Sequence, residues 1–163
     1  MTFEEYVLLR GPALIRLARL LVDDVHRAED LVQDALVRAY PRWSQILRKD
    51  QPDLYMRRIL VNLNASWWRR RASRELPVDL RADTRPGPPD HGAQAAERVA
   101  LWERVRTLPP RQRAVIALRY YEDLDDARIG EILGCSRASV RTHAMRALAA
   151  MRIQLQDLEE ARP

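Results

Sequence analysis

The sequence predicts an all-α protein of two small helical domains joined by a flexible linker. Three observations predict it. Apolar residues recur at spacings of three and four through most of the chain, the mark of one-sided helices. No segment alternates apolar and polar residues for long enough to argue a strand. Between the periodic blocks lies PVDLRADTRPGPPDHGAQAA, which has no apolar period and holds Pro77, Pro86, Gly87, Pro88, Pro89 and Gly92. Such a stretch reads as a linker, and its length does not suit the inside of one compact domain. The expected division is a helical domain at 1–76, a linker at 77–96, a four-helix domain at 97–156 and a tail at 157–163. Extended, the linker would reach about 65–70 Å, roughly two turns of duplex DNA.

The first helix spans residues 3–22, with Phe3, Val7, Leu14, Leu17, Ala18 and Leu21 on one face. Gly11-Pro12 is a point of kinking or interruption. The second, AEDLVQDALVRAY at 28–40, carries a stripe of Ala28, Leu31, Val32, Ala35, Leu36, Ala39 and Tyr40, and Pro41 stops it. The third opens near Pro52-Asp53 with proline in its first turn and buries Met56, Leu60, Leu63 and Trp67. The second block supplies helices at 97–108, 111–122, 125–134 and 136–155, separated by short turns.

Composition narrows the function. Of 163 residues, 47% are hydrophobic and 31% charged, enough to build cores. Lysine and arginine total 28 against 23 acids, a net charge of +5, and Lys49 is the only lysine. Nearly every cation is thus a guanidinium, suited to forked contacts with phosphate, carboxylate and guanine. Residues 1–76 and 97–156 each carry a net +4, whereas 77–96 carries −1. A basic balance fits nucleic acid or an anionic membrane, and here the charge falls in two blocks separated by a neutral stretch. Cys135 is the only cysteine, which rules out an intrachain disulfide and a cysteine-rich zinc site and fits a reducing compartment. Glu4, Glu5 and the arginines of the first helix argue against a signal peptide or a membrane span. The expectation is a soluble, cytoplasmic protein that does not engage a membrane.

The most informative motif lies at 125–149. A helix from Asp126 to Leu133 ends at Gly134, where a left-handed residue is needed, and Ser136 caps the next helix. Ile129, Ile132, Leu133, Val140, Ala144 and Leu148 supply a shared core. This is helix-turn-helix anatomy. Arg137, Ala138, Ser139, Arg141, Thr142 and Met145 are the exposed positions of the second helix that would face a major groove. Two weaker features lie in the first block. Trp67 and Trp68 precede Arg69, Arg70 and Arg71, a pattern that grips single-stranded nucleic acid or simply anchors and solubilises a helix end. Glu29, Asp30, Gln33 and Asp34 cluster on the polar face of the second helix. They form either a solvated face or, being acids within a basic domain, a dock for a basic protein.

Catalysis has no residues to carry it. His26, His91 and His143 are scattered, and no phosphate-binding glycine loop, HExxH pair or nucleophile elbow is present. Asp30 and Asp34 have no histidine ligand near them in sequence. No catalytic residue, cofactor or metal is expected.

AEDLVQDALVRAY, YMRRILVNLNASWWRRR and LPPRQRAVIALRYYEDLDDARIGEILGCSRASVRTHAMRAL, in that order and spacing, resemble a bacterial RNA polymerase sigma factor of the sigma-70 family. The two-domain form resembles the extracytoplasmic-function (ECF) branch, and the WWRRR ending its actinobacterial SigE-like members. The resemblance covers residues 3 to 153, with the linker free to vary. It implies that Asp30, Gln33 and Asp34 dock on the clamp helices of the largest subunit of core RNA polymerase. Arg58 and Asn62 match positions that open the minus-ten element and capture a flipped base, with Trp68, Arg69, Arg70 and Arg71 beside them. Arg141, Thr142, Met145 and Arg146 match positions on the minus-thirty-five element, joined by Arg137 and Ser139. The implied function is promoter recognition and melting by a dissociable subunit, a monomer when free. By analogy an anti-sigma factor is a candidate regulator, though no residue identifies one. The competing reading is a stand-alone dimeric helix-turn-helix regulator, in which the acidic face and the linker have no role.

Overall fold

The computed structural model describes residues 1–22, 24–49, 51–73 and 93–160, with side chains placed to residue 152 and, in the last stretch, from residue 98. All regular structure among them is helical, as the periodicity predicts. The chain divides into two compact units, Met1–Asp83 and Thr84–Pro163. Residues 77–92, which make up most of the predicted linker, lie outside the described residues.

The first unit packs three long helices. Helix α1 (Phe3–Leu21) starts in a reciprocal cap, with Thr2 and Glu5 each bonding the other's backbone amide. Gly11-Pro12 does not interrupt it. Pro12 is exposed, so the carbonyl it deprives of a donor faces water. Helix α2 (Val25–Ala39) begins three residues before the predicted start because Asp24 accepts the His26 amide at 2.9 Å. Its stripe of Ala28, Leu31, Val32, Ala35, Leu36 and Ala39 is buried as predicted, but Tyr40 is 60% exposed. Pro41 ends α2 without stopping the chain's winding. A 3₁₀ turn (Tyr40–Arg42) leads into α3 (Trp43–Arg48), a helix without a predicted counterpart. Helix α4 (Pro52–Ser73) buries Met56, Leu60, Val61 and Asn64. Leu63 and Trp67, placed in the core by the sequence, are only half-buried. Tyr6, absent from the predicted stripe of α1, is fully buried and its ring meets Trp43 at 4.9 Å.

The second unit is built around its last helix. Helix α5 (Ala93–Val105) opens inside the stretch predicted as linker, so the last four residues of that stretch are helical. Helix α6 (Pro110–Ile116) passes into a π turn (Ala117–Tyr121), which the sequence reads as plain helix. Glu122 donates its amide to Ala117 O at 3.1 Å, and Asp123 then takes a left-handed φ of 56°. Helices α7 (Asp126–Leu133) and α8 (Arg137–Glu160) follow, and α8 runs into the predicted tail. The core contains Val115, Leu118, Ile129, Ile132, Val140 and Ala144. Leu148 is 42% exposed, and Ala147 takes the buried position instead. Ala147 packs with Val105, Leu108, Ile116 and Met151. Three residues after Ala144 is the inward step here, because α5 and α6 approach α8 from that side.

Candidate polymerase and nucleic-acid interfaces

Three exposed surfaces carry the residues singled out from the sequence. The first is on α2. Burial of Leu31, Val32, Ala35 and Leu36 turns Glu29, Asp30, Gln33 and Asp34 outward together, and all four are exposed. None of the four carboxylate or amide groups is drawn into the core, so the charge is available to a partner.

The second surface is on α4. Arg58, Asn62 and Arg69 recur at spacings of four and seven, which puts them on one stripe, and all three are exposed. Arg70 is exposed beside them. Arg71 and Trp68 do not share that stripe. Arg71 is half-buried with its guanidinium 5.0 Å from the Trp67 ring, and Trp68 packs edge-on against Trp67 at 5.0 Å. From α2, Arg27 covers Trp67 at 3.1 Å and donates to Asn64 Oδ1 at 2.7 Å. Asn64 Nδ2 in turn donates to the Leu21 carbonyl at 3.4 Å. The tryptophans therefore pin α4 to α2 by packing and cation–π contact. Upstream, α3 and the start of α4 border an open cleft of about 240 Å³, lined by Arg42, Gln45, Ile46, Lys49, Tyr55 and Arg58 among others. Its lining combines the Tyr55 ring with three cations, Arg42, Lys49 and Arg58.

The third surface is the helix-turn-helix of α7 and α8. Asp125 caps α7 through the Arg128 amide at 2.8 Å, and Gly134 takes φ 68° at its end. Arg111 donates to the Leu133 carbonyl at 3.4 Å, satisfying another group at that end. Ser136 accepts the Ser139 amide at 3.1 Å, as the predicted cap requires. Arg137, Arg141, Thr142, Met145 and Arg146 are all exposed along α8, and Met145 is 70% exposed. Ser139 stands apart from them. It is half-buried, and its hydroxyl lies 3.1 Å from that of Ser136. His143 is half-buried between these faces, and burial together with Arg111 and Arg146 lowers its pKa. Among the described residues no group of His, Cys, Asp or Glu is arranged to hold a metal.

Comparison with known families decides between the readings. Residues 7–74 match the family described as Sigma-70 region 2, and residues 98–151 match Sigma-70, region 4. The chain belongs to the sigma-70 family of RNA polymerase sigma factors. It is 40% identical over 154 residues to the RNA polymerase sigma-E factor of Streptomyces avermitilis, covering 94% of this chain and 85% of that one. It is 29% identical to the ECF RNA polymerase sigma factor SigW of Bacillus subtilis, over 96% and 90% of the two chains. Its fold resembles the sigma factor RpoE solved with the anti-sigma factor NepR from Bartonella quintana. That match has a TM-score of 0.78 and 24% identity over 94% and 96% of the chains. CnrH, solved with the cytosolic domain of CnrY, matches at TM-score 0.65 and 25% identity over 95% and 88%.

As a sigma factor the chain acts in transcription initiation, with core RNA polymerase and promoter DNA as partners. Nothing in the matches favours a stand-alone dimeric regulator. Among the described residues of this sigma factor, no helix is long and apolar enough to cross a membrane. Two features of its surfaces had no signal in the sequence. Tyr55 and Arg42 reach the cleft because α3 exists and turns the chain back on α4. Asp126 lies 3.5 Å from Arg119 and 3.6 Å from Arg141, a meeting of three elements that spacing along one helix does not reveal.

Proposed function

We propose that this sigma factor divides its work among the three surfaces. Asp30, Gln33 and Asp34 on α2 dock on the clamp helices of the polymerase largest subunit, where basic residues meet the carboxylates in charge-assisted bonds. Residues 1–76 also take the minus-ten element. Arg58, Asn62, Arg69 and Arg70 hold the strand, and the cleft between α3 and α4 receives a flipped base of the non-template strand. Trp68 and Arg71 support that helix from its other side. Residues 97–156 engage the minus-thirty-five element through Arg137, Arg141, Thr142, Met145 and Arg146, with Ser139 fixing the start of the helix that enters the groove. Residues 77–96 tether the two. Binding energy replaces base stacking, and no bond is made or broken by this chain. It works as a monomer in the cytoplasm with the polymerase. RpoE of Bartonella quintana was crystallised with an anti-sigma factor, and a protein of that kind is a candidate third partner here.

The observation that carries this reading is the segregation of charge. An exposed acidic face on α2 and exposed basic stripes on α4 and α8 occupy different helices of a chain with a net charge of +5. A single nucleic-acid ligand would be repelled by the first. The test is run-off transcription from a genomic promoter library with purified core polymerase and this chain. Discrete start sites sharing two spaced elements are expected. Failure to bind core polymerase would end the proposal.

A further inference from the structure

Asp126 stands in the first turn of α7 with its side chain 20% exposed, between two arginines from different elements. Its Oδ1 lies 3.5 Å from Arg119 Nη2 on the π turn, and its Oδ2 lies 3.6 Å from Arg141 Nε on α8. Arg119 is 32% exposed and Arg141 64% exposed. Neither contact is short enough to be a strong hydrogen bond, so the attraction is Coulombic: the less exposed Arg119 draws the carboxylate inward, and the carboxylate biases where the outer arginine sits. We propose that Asp126 is a positioning residue for Arg141, and that it makes promoter reading by α8 more selective. The proposal rests on the reading of α8 given above as the minus-thirty-five interface.

The contact with Asp126 engages Arg141 at Nε, which leaves the Nη1–Nη2 edge open to a forked contact with guanine. A guanidinium held in place loses less rotamer freedom when it binds. The acid also acts against the wrong ligand. It sits beside a helix facing a polyanion, so an Arg141 that swings toward any passing phosphate leaves Asp126 with one partner fewer. A matched base edge is reached without that loss. Selectivity then comes partly from a repulsive element. Arg137 and Arg146, exposed on opposite sides of α8, have no ion pair among the described residues. They are the natural phosphate contacts, whose energy does not depend on sequence.

The test uses the full chain bound to core RNA polymerase and a pool of promoter duplexes randomised across the minus-thirty-five element. Sequencing of the bound fraction gives the base preference at each position. Arg141→Ala is expected to flatten one position by on the order of tenfold. Asp126→Asn should flatten the same position several-fold, while affinity for a random-sequence duplex stays level or rises. The double variant should look like Arg141→Ala alone. If Asp126→Asn keeps the preference that Arg141→Ala erases, or weakens matched and random duplexes alike, the positioning role is overturned. If Arg141→Ala changes no position, the reading of α8 itself fails. A second measurement needs no variant: nitrogen relaxation of the arginine Nε–H groups in the free chain. Arg141 should be more ordered than Arg137 and Arg146, and equal mobility of all three would overturn the proposal.

Discussion

Arg10 and Asp53 meet in a two-point pair, with Nε 3.0 Å from Oδ1 and Nη2 2.8 Å from Oδ2. The pair ties α1 to the first turn of α4. Both side chains are about two-fifths exposed, at 42% and 40%, so water screens much of their attraction. The same Oδ1 also accepts the Tyr6 hydroxyl at 2.9 Å, and Tyr6 is fully buried. Asp53 therefore satisfies a hydroxyl that has lost its water. It also fixes the start of α4, two residues before Tyr55, which lines the cleft.

This arrangement gives the first unit an alkaline weakness. Burial, then the Asp53 carboxylate, holds the Tyr6 proton well above the ordinary value of 10.0. Above pH 10.0 the unfolded chain releases this proton and the folded chain keeps it, so stability falls as pH rises. Below that pH the contribution is complete. Tyr6→Phe removes the titration and one hydrogen bond. Its stability should fall less steeply above pH 10.0, the difference being about 1 kcal/mol per pH unit. Urea unfolding from pH 9 to pH 11 checks it, and parallel curves for the two proteins would remove the claim.

On α2, charge reversal separates docking from folding. Asp30 and Asp34 are exposed on the face opposite the buried stripe, so Asp30→Arg with Asp34→Arg should change stability by less than about 0.5 kcal/mol. Binding to core polymerase should fall by at least two orders of magnitude, because each lost charge-assisted bond is worth roughly 1.5–3 kcal/mol. Fluorescence anisotropy of labelled chain with core enzyme, alongside thermal melting, reads both. A folded variant that still binds normally would remove α2 from the polymerase interface.

Most of the helices were legible because each buries one face at a regular spacing. Α2 shows this best, since its stripe from Ala28 to Ala39 is buried residue for residue. The failures have physical causes. Tyr6 lies outside the predicted stripe because its ring carries a hydroxyl, and Asp53 makes it core by accepting that group. The π turn at Ala117–Tyr121 adds a residue per turn without changing composition. Leu148 and Ala147 exchanged places because a small residue fits where α5 and α6 crowd α8. Among the candidate site residues, Arg137, Arg141, Thr142 and Met145 follow from helix spacing, whereas Arg58, Asn62 and Arg146 rest on the family resemblance. The half-burial of Arg71 and Ser139 follows from neither, because Trp67 and Ser136 draw their side chains away from solvent.

The glycines of the helix-turn-helix offer a sharper case. Gly134 was legible as the turn residue, and its φ of 68° confirms the need for it. Yet open space surrounds it, and alanine there should cost about 1–2 kcal/mol of left-handed strain. Gly130 gave no signal. A Cβ added to it would lie 2.7 Å from the Cys135 carbonyl oxygen, a backbone atom that cannot swing aside. Gly130→Ala should therefore force α7 from the turn and cost about 2–3 kcal/mol. Thermal melting of the two variants is expected to place Gly130→Ala lower, and the reverse order would show that the turn yields easily.

Tyr55 supplies the aromatic ring in the cleft between α3 and α4. Tyr55 and Arg58 both line this space, three residues apart on one helix and so on neighbouring positions of its surface. An extruded base would stack on the ring while its phosphate meets the guanidinium. Tyr55→Ala should then weaken strand capture by about 1–3 kcal/mol. Duplex binding by α8 lies in the other unit and should be untouched. Arg58→Ala should weaken capture in a salt-dependent way, and Tyr55→Ala in a salt-independent one, because only the first removes a phosphate contact. A 2-aminopurine in the minus-ten non-template strand reports unstacking during open-complex formation. If Tyr55→Ala opens promoters as the parent chain does, the flipped base lies elsewhere. Tyr55→Phe keeps the ring and loses the hydroxyl, so its near-normal opening would assign the effect to stacking.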